Sequence, residues 1–258
     1  MGIQVETRIP FSQPISLGVC PRKIFMKLFE RVEVYNDFMP RPAAMNMAID
    51  EALLESATAP SIRFYRWESP AFSFGYFGRF ADVAGNASGR DLVRRWTGGG
   101  VVFHGDDLTY SIVIPATDPV FGESSMSIYE NVHSALVDAL AEMGRHAVVA
   151  GGVDPGGTAA GMRTAVSASG YNCFANPVRA DVMLNGRKIA GAAQRRTRNG
   201  LLHQGSIQHV DPGSDLAERF ARALCEKYGE RRIDHDALKR ARELAEQKYG
   251  TDAWLRKR

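Results

Sequence analysis

One cysteine of the chain stands fifteen residues before a lysine, with a predicted turn between the two. Cys173 ends a long stretch rich in glycine, alanine and serine, and Lys188 follows the pair Asn185-Gly186. An Asn-Gly pair between two apolar runs is the strongest short signal for a β-hairpin, and we expect this hairpin to return the lysine toward the cysteine. A nearby ammonium lowers the pKa of a thiol and holds the thiolate that attacks an acyl group.

The residues alone leave the role of this cysteine open. A lone cysteine is more often a small buried hydrophobe than a nucleophile, and spacing does not establish that two side chains meet. The other two cysteines, Cys20 and Cys225, add neither a disulfide framework nor a CxxC metal site, and we expect both to be inert. Few and widely spaced cysteines are typical of a reducing cytoplasm, which is the predicted location.

A second candidate site is the segment RRWTGGG. Three successive glycines between two apolar strands allow positive φ and close approach to a ligand, and their bare N–H groups can form a concave anion site. The alternative is a glycine-rich hairpin turn without a ligand. Because neither a Walker loop nor GxGxxG is present, a mononucleotide-type phosphate loop is disfavoured, and a site for a carboxyl, thioester or acyl-phosphate group remains open. The residues of this candidate site are Arg94, Arg95, Gly98, Gly99 and Gly100.

Two histidines are further candidates. His104 is followed by Gly105-Asp106-Asp107, which fits a base with an acidic orienter or a metal ligand. Since no second histidine stands at i+2 or i+4, a metal site is disfavoured, and a structural or ligand-positioning histidine is the preferred interpretation. His203, in the strand segment HQG that includes Gly205, either faces the same pocket or is a core or surface histidine.

Strand patterns and helix patterns are mixed along the chain rather than strictly alternating. FERVEV, SIRFYRW, VVFHGDDLTYSIVIP and LLHQGSIQHV read as strands, and the triple glycine is predicted to be a tight turn between two of them. Met45, Ile49 and Leu53 predict a helix with one apolar face. Residues 127–143 predict another helix, which Gly144 ends in the position that a C-terminal glycine usually takes. The sequence from Pro212 onward predicts helices with a basic face.

These patterns favour an α/β or α+β fold in which helices flank a mixed, largely antiparallel sheet. The 258 residues, 45% of them hydrophobic, suit one sizeable domain, predicted over residues 29–258 behind an N-terminal extension of residues 1–28. No run approaches the roughly 18 apolar residues of a membrane helix. The net charge of +3 is too small to indicate nucleic acid.

The positive charge is concentrated near the C-terminus. Residues 231–258 hold nine lysines and arginines against five acidic residues. A solvated helical face is the preferred explanation. The alternative is a docking surface for an acidic protein partner, where such charge raises the association rate more than the affinity.

Several segments of the chain occur in an order that is typical of one protein superfamily. RRWTGGGVVFHGDDLTYS has its two arginines, glycine turn and histidine, and GRKIAGAAQRR followed by LLHQGSI has its lysine-bearing second motif. NMAIDEALL and IRFYRW are similar to its opening helix and strand, and AEQKYGTDAWLRKR to its closing helix. Residues 29–258 thus resemble the biotin/lipoate protein ligase superfamily, which implies a catalytic domain like those of biotin ligases and class II aminoacyl-tRNA synthetases.

Within the superfamily the motifs point to two branches. Lipoate–protein ligases typically have the triple glycine. Octanoyltransferases of the ligase-like fold have a CFxxP motif fifteen residues before the motif lysine, and CFANP with Lys188 matches it position for position. The chain departs from this second branch at Gly100, where arginine is usual, and at residues 179–181, where an aromatic residue and a glutamate are commoner.

The second branch is the preferred one, and it implies a cysteine-dependent acyltransferase of protein lipoylation. Cys173 would be the nucleophile and Lys188 the group that stabilises it and relays protons. The implied donor is an octanoyl thioester on acyl carrier protein, and the implied acceptor is a lysine of a lipoyl-domain or glycine-cleavage carrier protein. Predicted substrate-binding residues are Arg94, Arg95, Gly98, Gly99, Gly100, His104, Asp181, Gly191, His203 and Gly205.

A thioester donor implies that no cofactor or metal is needed, and no nucleic acid or membrane partner is expected. The rival function is an ATP- and Mg²⁺-dependent lipoate or octanoate ligase, in which Lys188 would contact an acyl-adenylate. Biotin ligation is less favoured. A non-enzymatic relative that binds a carrier protein without turnover is a further alternative.

Overall fold

The computed structural model describes residues 27–86, 89–151 and 178–257. Their strands are β1 (Phe29–Arg41), β2 (Ser61–Trp67), β3 (Ala71–Phe74), β4 (Asp91–Arg94), β5 (Val101–His104), β6 (Leu108–Pro115), β7 (Ala147–Val149), β8 (Val182–Leu184), β9 (Arg187–Thr197), β10 (Gly200–Ile207) and β11 (Cys225–Arg231). Their helices are α1 (Ala43–Ser56), α2 (Phe80–Val83), α3 (Ser125–Glu142), α4 (Leu216–Leu224), α5 (His235–Leu244) and α6 (Asp252–Leu255), with a π-helical turn at Ala245–Tyr249.

The strands of the described residues form a large sheet and a small one. The large sheet has the order β11-β1-β2-β6-β10-β9-β8-β7, and the small sheet has the order β4-β3-β5. β1 runs parallel to both β11 and β2, and β3 runs parallel to β4. The other pairs are antiparallel. The predicted mixed, largely antiparallel sheet with flanking helices is therefore confirmed.

Helices cover both faces of the large sheet. On one face α3 and α4 pack against alternate residues of the strands, such as Phe64 and Ile112. On the other face α1 and α5 pack against the residues between them, such as Tyr65 and Val113. Because both faces are covered, all eight residues of β6 and all eight of β10 are buried. Each central strand therefore presents different side chains to two separate cores.

Two local signals in the sequence are confirmed. Asn185 and Gly186 have φ of 51° and 77° and join β8 to β9 in a hairpin, as the positive-φ turn residues of such hairpins do. Gly144 follows α3 with φ of 73°, as expected of a glycine that ends a helix.

Three predictions about the elements are wrong, each for a tertiary reason. The glycine segment is not a tight hairpin turn, because β3 lies between β4 and β5 and the segment crosses over it. The region after Pro212 is not all helical, since residues 225–231 pair with β1 as strand β11. α1 is not apolar on one face only: it lies between the sheet and α5 and also buries Asn46, Asp50 and Glu51.

Among the described residues, no helix has both the length and the apolar character needed to cross a membrane.

Candidate active site

A cleft lies where the small sheet faces the large one, beside the glycine segment. It encloses about 480 Å³ counted out to its open mouth. Its apolar walls are Met47, Tyr65, Trp67, Val102, Ala192 and Ala193. Its polar and glycine positions are Ser73, Arg95, Gly99, His104, Thr109, Lys188, Gly191, Gln204, Gly205 and Ser206.

Lys188 reaches this cleft and pairs with Asp181. The Lys188 Nζ lies 2.8 Å from the Asp181 Oδ2, and both side chains are almost completely buried. The same carboxylate accepts hydrogen bonds from the Val178 N–H at 2.7 Å and from the Tyr129 hydroxyl at 2.8 Å. A buried charge persists only when it is paired and hydrogen-bonded. Asp181 meets both conditions, and it therefore holds an ammonium in a site that excludes most water.

Gly191 makes room for the lysine. A Cβ at this position would lie 2.6 Å from the Lys188 Cε and 2.7 Å from its Nζ. Real Cβ atoms do not approach other atoms this closely, so the lysine could not keep its path over any other residue. Gly191, a predicted substrate-binding residue, is thus required by the position of Lys188. This explains why a glycine stands three residues after the lysine in the motif GRKIAG.

Arg95 organises the glycine segment. Its guanidinium donates to the carbonyls of Gly98 and Gly100 at 3.1 and 2.7 Å and to the Ser73 hydroxyl at 2.6 Å. Between these two carbonyls Gly99 has φ of 82°, a conformation that favours glycine. The segment is also pressed against Gly75, where a Cβ would lie 2.0 Å from the Gly99 carbonyl oxygen. The loop is therefore held in one shape at the cleft wall.

Arg94, the neighbouring arginine, is directed elsewhere. Its guanidinium is buried outside the residues that line the cleft and donates to backbone carbonyls in two separate segments of the chain. These carbonyls belong to Tyr76, Gly78, Trp254, Leu255 and Lys257. Arg94 thus links α6 and the segment after it to the loop after β3, and its observed role is to attach the C-terminal segment. A contact between Arg94 and a substrate stays a prediction.

His104 lies in the cleft and is fixed on both sides of its ring. Its Nδ1 is 2.8 Å from the Asp107 Oδ2, its Nε2 is 2.7 Å from the Ser73 Oγ, and the ring stacks on Trp67 at 3.9 Å. Burial acts to raise the pKa of Asp107, but nearby His104 and the hydrogen bonds to that carboxylate lower it to about 2. Asp107 is thus a carboxylate that can only accept, so the His104 Nδ1 carries the proton that it donates. This is the geometry of an oriented histidine; a contact between His104 and a substrate stays a prediction.

His203 faces away from the cleft. Strand alternation along β10 directs Gln204 and Ser206 into the cleft and His203 to the α3 side, where it is fully buried. Burial lowers the pKa of His203 well below its ordinary value, with a smaller contribution from His133, so the ring is neutral. Gly205 lines the cleft with its backbone, and a Cβ there would lie 2.2 Å from the Tyr110 ring.

Sequence reasoning missed a buried polar network behind the glycine segment. The Thr97 hydroxyl donates to the Gln204 Oε1 at 2.8 Å, and the Gln204 Nε2 donates to Asp50 at 2.7 Å. Asp50 also accepts from Arg63, Tyr65 and Ser111. The signal was available, because Asp50 and Gln204 are polar residues that stand beside apolar ones in the segments NMAIDEALL and LLHQGSI.

Tyr129 and His133 were also missed. They lie four residues apart on the buried side of α3, and Tyr129 contacts Asp181 directly. Their spacing in SIYENVH places them on one helix face, which could have marked them as a polar pair directed toward the sheet.

The predicted nucleophile Cys173 lies outside the described residues, so its pairing with Lys188 stays a prediction. Cys20 lies outside them as well. Cys225 is buried, and its thiol donates to the Ala221 carbonyl. Burial is the main reason that its pKa is raised, so this cysteine is a protonated, enclosed thiol, as expected of an inert one.

Together, the fold and this lysine-centred cleft define a catalytic domain of the lipoyl ligase type. The family model described as the lipoyl protein ligase A/B catalytic domain matches residues 42–247. The chain therefore belongs to that family, and the resemblance seen in the motifs is confirmed.

Relatives of the chain include several proteins named octanoyltransferase LipM. The octanoyltransferase LipM of Oceanobacillus iheyensis is 37% identical over 178 residues, which cover 65% of this chain and 60% of that protein. The LipM of Geobacillus kaustophilus is 33% identical over 211 residues, covering 78% of this chain and 73% of that protein. The chain thus spans about three fifths of some of these relatives and more of others.

Two solved structures with the same fold are described as lipoate–protein ligases. Lipoate-protein ligase A bound with ATP has a TM-score of 0.66 and 24% identity, over 87% of this chain and 98% of that one. A bipartite lipoate protein ligase of Thermoplasma acidophilum, described with its E2 lipoyl domain, has a TM-score of 0.58 and 22% identity, over 88% of this chain and 96% of that one. At these identities the likeness concerns the fold.

Proposed function

We propose that the protein is an octanoyltransferase of protein lipoylation. It would move an octanoyl or lipoyl group from acyl carrier protein, through a thioester on Cys173, to a lysine of a lipoyl-domain or glycine-cleavage carrier protein. The observation that carries this proposal is the buried Lys188–Asp181 pair at the cleft, in a chain whose relatives are named octanoyltransferase LipM.

The proposed reaction consists of two acyl transfers. In the first, the Cys173 thiolate attacks the thioester carbonyl, the bond to the carrier sulfur breaks, and the departing thiolate takes a proton from the Lys188 ammonium. In the second, the acceptor amine attacks the Cys173 thioester, passes its surplus proton to Lys188, and displaces the Cys173 thiolate. The charge and protonation of both side chains return to their starting state.

This route calls for no ATP and no metal ion, because a thioester is already an activated acyl group. The rival route forms an acyl-adenylate from a free acid. Two observations favour the rival route. The first is the triple glycine, which hydrogen bonds from Arg95 hold at the cleft wall, and the second is the fold shared with lipoate-protein ligase A bound with ATP. The acyl donor is therefore the first thing to test.

The carrier partner is proposed to be acidic, with the basic C-terminal region as one candidate contact. Part of that charge is already used within the domain. Lys248 pairs with Glu51, Arg240 with Glu55 and Arg231 with Glu33. These ion pairs attach the C-terminal segment to α1 and β1, which leaves a smaller basic surface than the sequence suggests.

Intact-mass spectrometry tests the function directly. Purified protein is mixed with octanoyl carrier protein, or with free octanoate with and without ATP and Mg²⁺, and an acceptor domain is added afterwards. We expect the carrier donor alone to add one octanoyl mass to the protein, and Cys173→Ala to abolish both the adduct and acceptor modification. Cys20→Ala is the matched control and should behave as wild type.

Three other results would each contradict the proposal. Full acceptor modification by Cys173→Ala would remove the thioester intermediate. Strict dependence on ATP with free octanoate would identify the ligase route. Carrier binding without acyl transfer from any donor would indicate a relative that has lost turnover.

A further inference from the structure

Helix α3 contacts the carboxylate that holds Lys188. The Tyr129 hydroxyl donates to the Asp181 Oδ1 at 2.8 Å and accepts from the Ala192 N–H, also at 2.8 Å. Asp181 precedes β8, and Ala192 lies on β9 in the cleft wall. One hydroxyl group therefore ties the partner of Lys188 to the strand that carries Lys188.

His133 contacts the same turn one helical turn further along α3. Its Nδ1 lies 2.5 Å from the carbonyl oxygen of Ala180. Ala180 has φ of 71°, in the left-handed region that a residue with a side chain rarely adopts, and its N–H donates to Ala150. Such a conformation persists only where the surroundings hold it. The histidine thus stabilises the strained residue that directs Asp181 toward Lys188.

Further hydrogen bonds determine the orientation of His133. A carbonyl can only accept, so the His133 Nδ1 donates, and burial, which lowers the pKa of this residue to about 4, keeps the ring neutral. Its Nε2 is then an acceptor for the Tyr110 hydroxyl at 3.1 Å. The Tyr110 oxygen lies 3.4 Å from the His203 Nε2, and the His203 Nδ1 lies 3.0 Å from the Gln194 amide nitrogen. With Gln194 donating at one end, every bond in the chain has one donor and one acceptor.

We infer that Tyr129 and His133 are positioning residues for Lys188, acting through Asp181 and the turn before it. A lysine side chain has four flexible methylene groups, and Gly191 leaves space around its end. Its Nζ is therefore located by the carboxylate it pairs with, and that carboxylate is located by α3. The inference rests on the proposed function for its effect on turnover, but the placement of Lys188 can be measured without turnover.

The first test measures kinetics on conservative variants. Tyr129→Phe removes only the hydroxyl, and we expect kcat for octanoyl transfer to fall roughly 10- to 100-fold with little change in KM for the donor. His133→Leu should behave similarly, whereas His133→Asn, whose amide nitrogen occupies nearly the place of Nδ1, should recover much of the loss. Tyr228→Phe, a partly exposed tyrosine on the edge strand β11, is the matched control.

The second test follows Lys188 itself. Modification by an amine-reactive acylating reagent at pH 7 is quantified for each lysine peptide by mass spectrometry, with exposed Lys239 as the internal reference. Asp181→Asn should raise the labelling rate of Lys188, because the amine is then no longer held in its ion pair with this carboxylate. Tyr129→Phe should raise it to a smaller extent, and Lys239 should not change.

The two tests fail in different ways. If the wild-type protein transfers no octanoyl group, the proposed function fails, and the labelling rates still decide the inference. If Tyr129→Phe labels Lys188 at the wild-type rate, the inference is overturned, whatever happens to activity. If His133→Leu does not fold, the inference is tested by Tyr129→Phe and by comparing the labelling rate of Lys188 in His133→Asn with that in wild type.

Discussion

Replacing Gly191 with alanine tests whether the position of Lys188 controls the activity. The new Cβ would begin 2.6 Å from the Lys188 Cε, 2.7 Å from its Nζ and 3.2 Å from the Asp181 Oδ1. Ordinary contact begins at 3.4 Å, so the end of the lysine must retreat by nearly an ångström, and its 2.8 Å bond to Asp181 cannot survive unchanged.

The expected effect on activity is large and the effect on stability moderate. A misplacement of about 1 Å at a reacting group costs on the order of 100-fold in rate, and we expect a loss of that size in kcat. Overpacking of a close-packed site costs about 1–3 kcal/mol in the free energy of unfolding. The lysine end is flexible and can move, so the lower part of that range is expected here.

The assay compares Gly191→Ala with Gly122→Ala. A Cβ at Gly122 would meet no atom within 4 Å, and this residue does not line the cleft, which makes it a matched glycine-to-alanine change away from the site. Octanoyl transfer and urea unfolding are measured for both variants. Near-wild-type turnover in folded Gly191→Ala would refute the reasoning, because it would show that Lys188 can leave its observed position without consequence.

Two further predictions concern stability. The lowered pKa of Asp107, about 2 against an ordinary value near 3.9, means that its carboxylate stabilises the fold above about pH 4 and that this contribution, about 2–3 kcal/mol, is lost as the pH falls toward 2. Urea unfolding of wild type and Asp107→Asn should therefore differ at pH 6 and converge near pH 2, and an equal difference at both would contradict this assignment. Arg94→Met removes the hydrogen bonds to the carbonyls around α6, and we expect a loss of about 2–4 kcal/mol in the free energy of unfolding. Amide exchange should become faster at residues 252–257, whereas exposed Arg90→Met should change neither quantity.

The two adjacent arginines show why the site could be predicted only in part. Arg94 and Arg95 have the same chemistry and consecutive positions, and the motif assigns both to a ligand. β4 ends between them and successive side chains point to opposite sides of a strand. Arg95 therefore enters the cleft, and Arg94 turns toward the C-terminal segment. Which of the two points inward depends on the packing of β4 against the rest of the fold.

Features that depend on neighbours in the chain could be determined from the sequence. Asn185-Gly186 and Gly144 act through their own φ angles, and the periodicity of α3 reflects one buried face. Lys188, His104 and the glycine segment belong to motifs whose order along the chain indicates the family, which the family model confirms. For the turn, the helix end and the helix periodicity, the physical cause lies within a few residues.

Tertiary structure alone decided the features that join distant segments. β3 lies between β4 and β5 in the small sheet. Residues 225–231 form a strand because they pair with β1 at the edge of the large sheet. Tyr129 donates a hydrogen bond to Asp181, which stands 52 positions later in the sequence, and Asp181 pairs with Lys188, 59 positions after Tyr129. Contacts between distant residues depend on which apolar surfaces are buried against each other when the chain folds. The sequence therefore determined which chemical groups the site contains, and the packing of α3 against the sheet determined the position of Lys188.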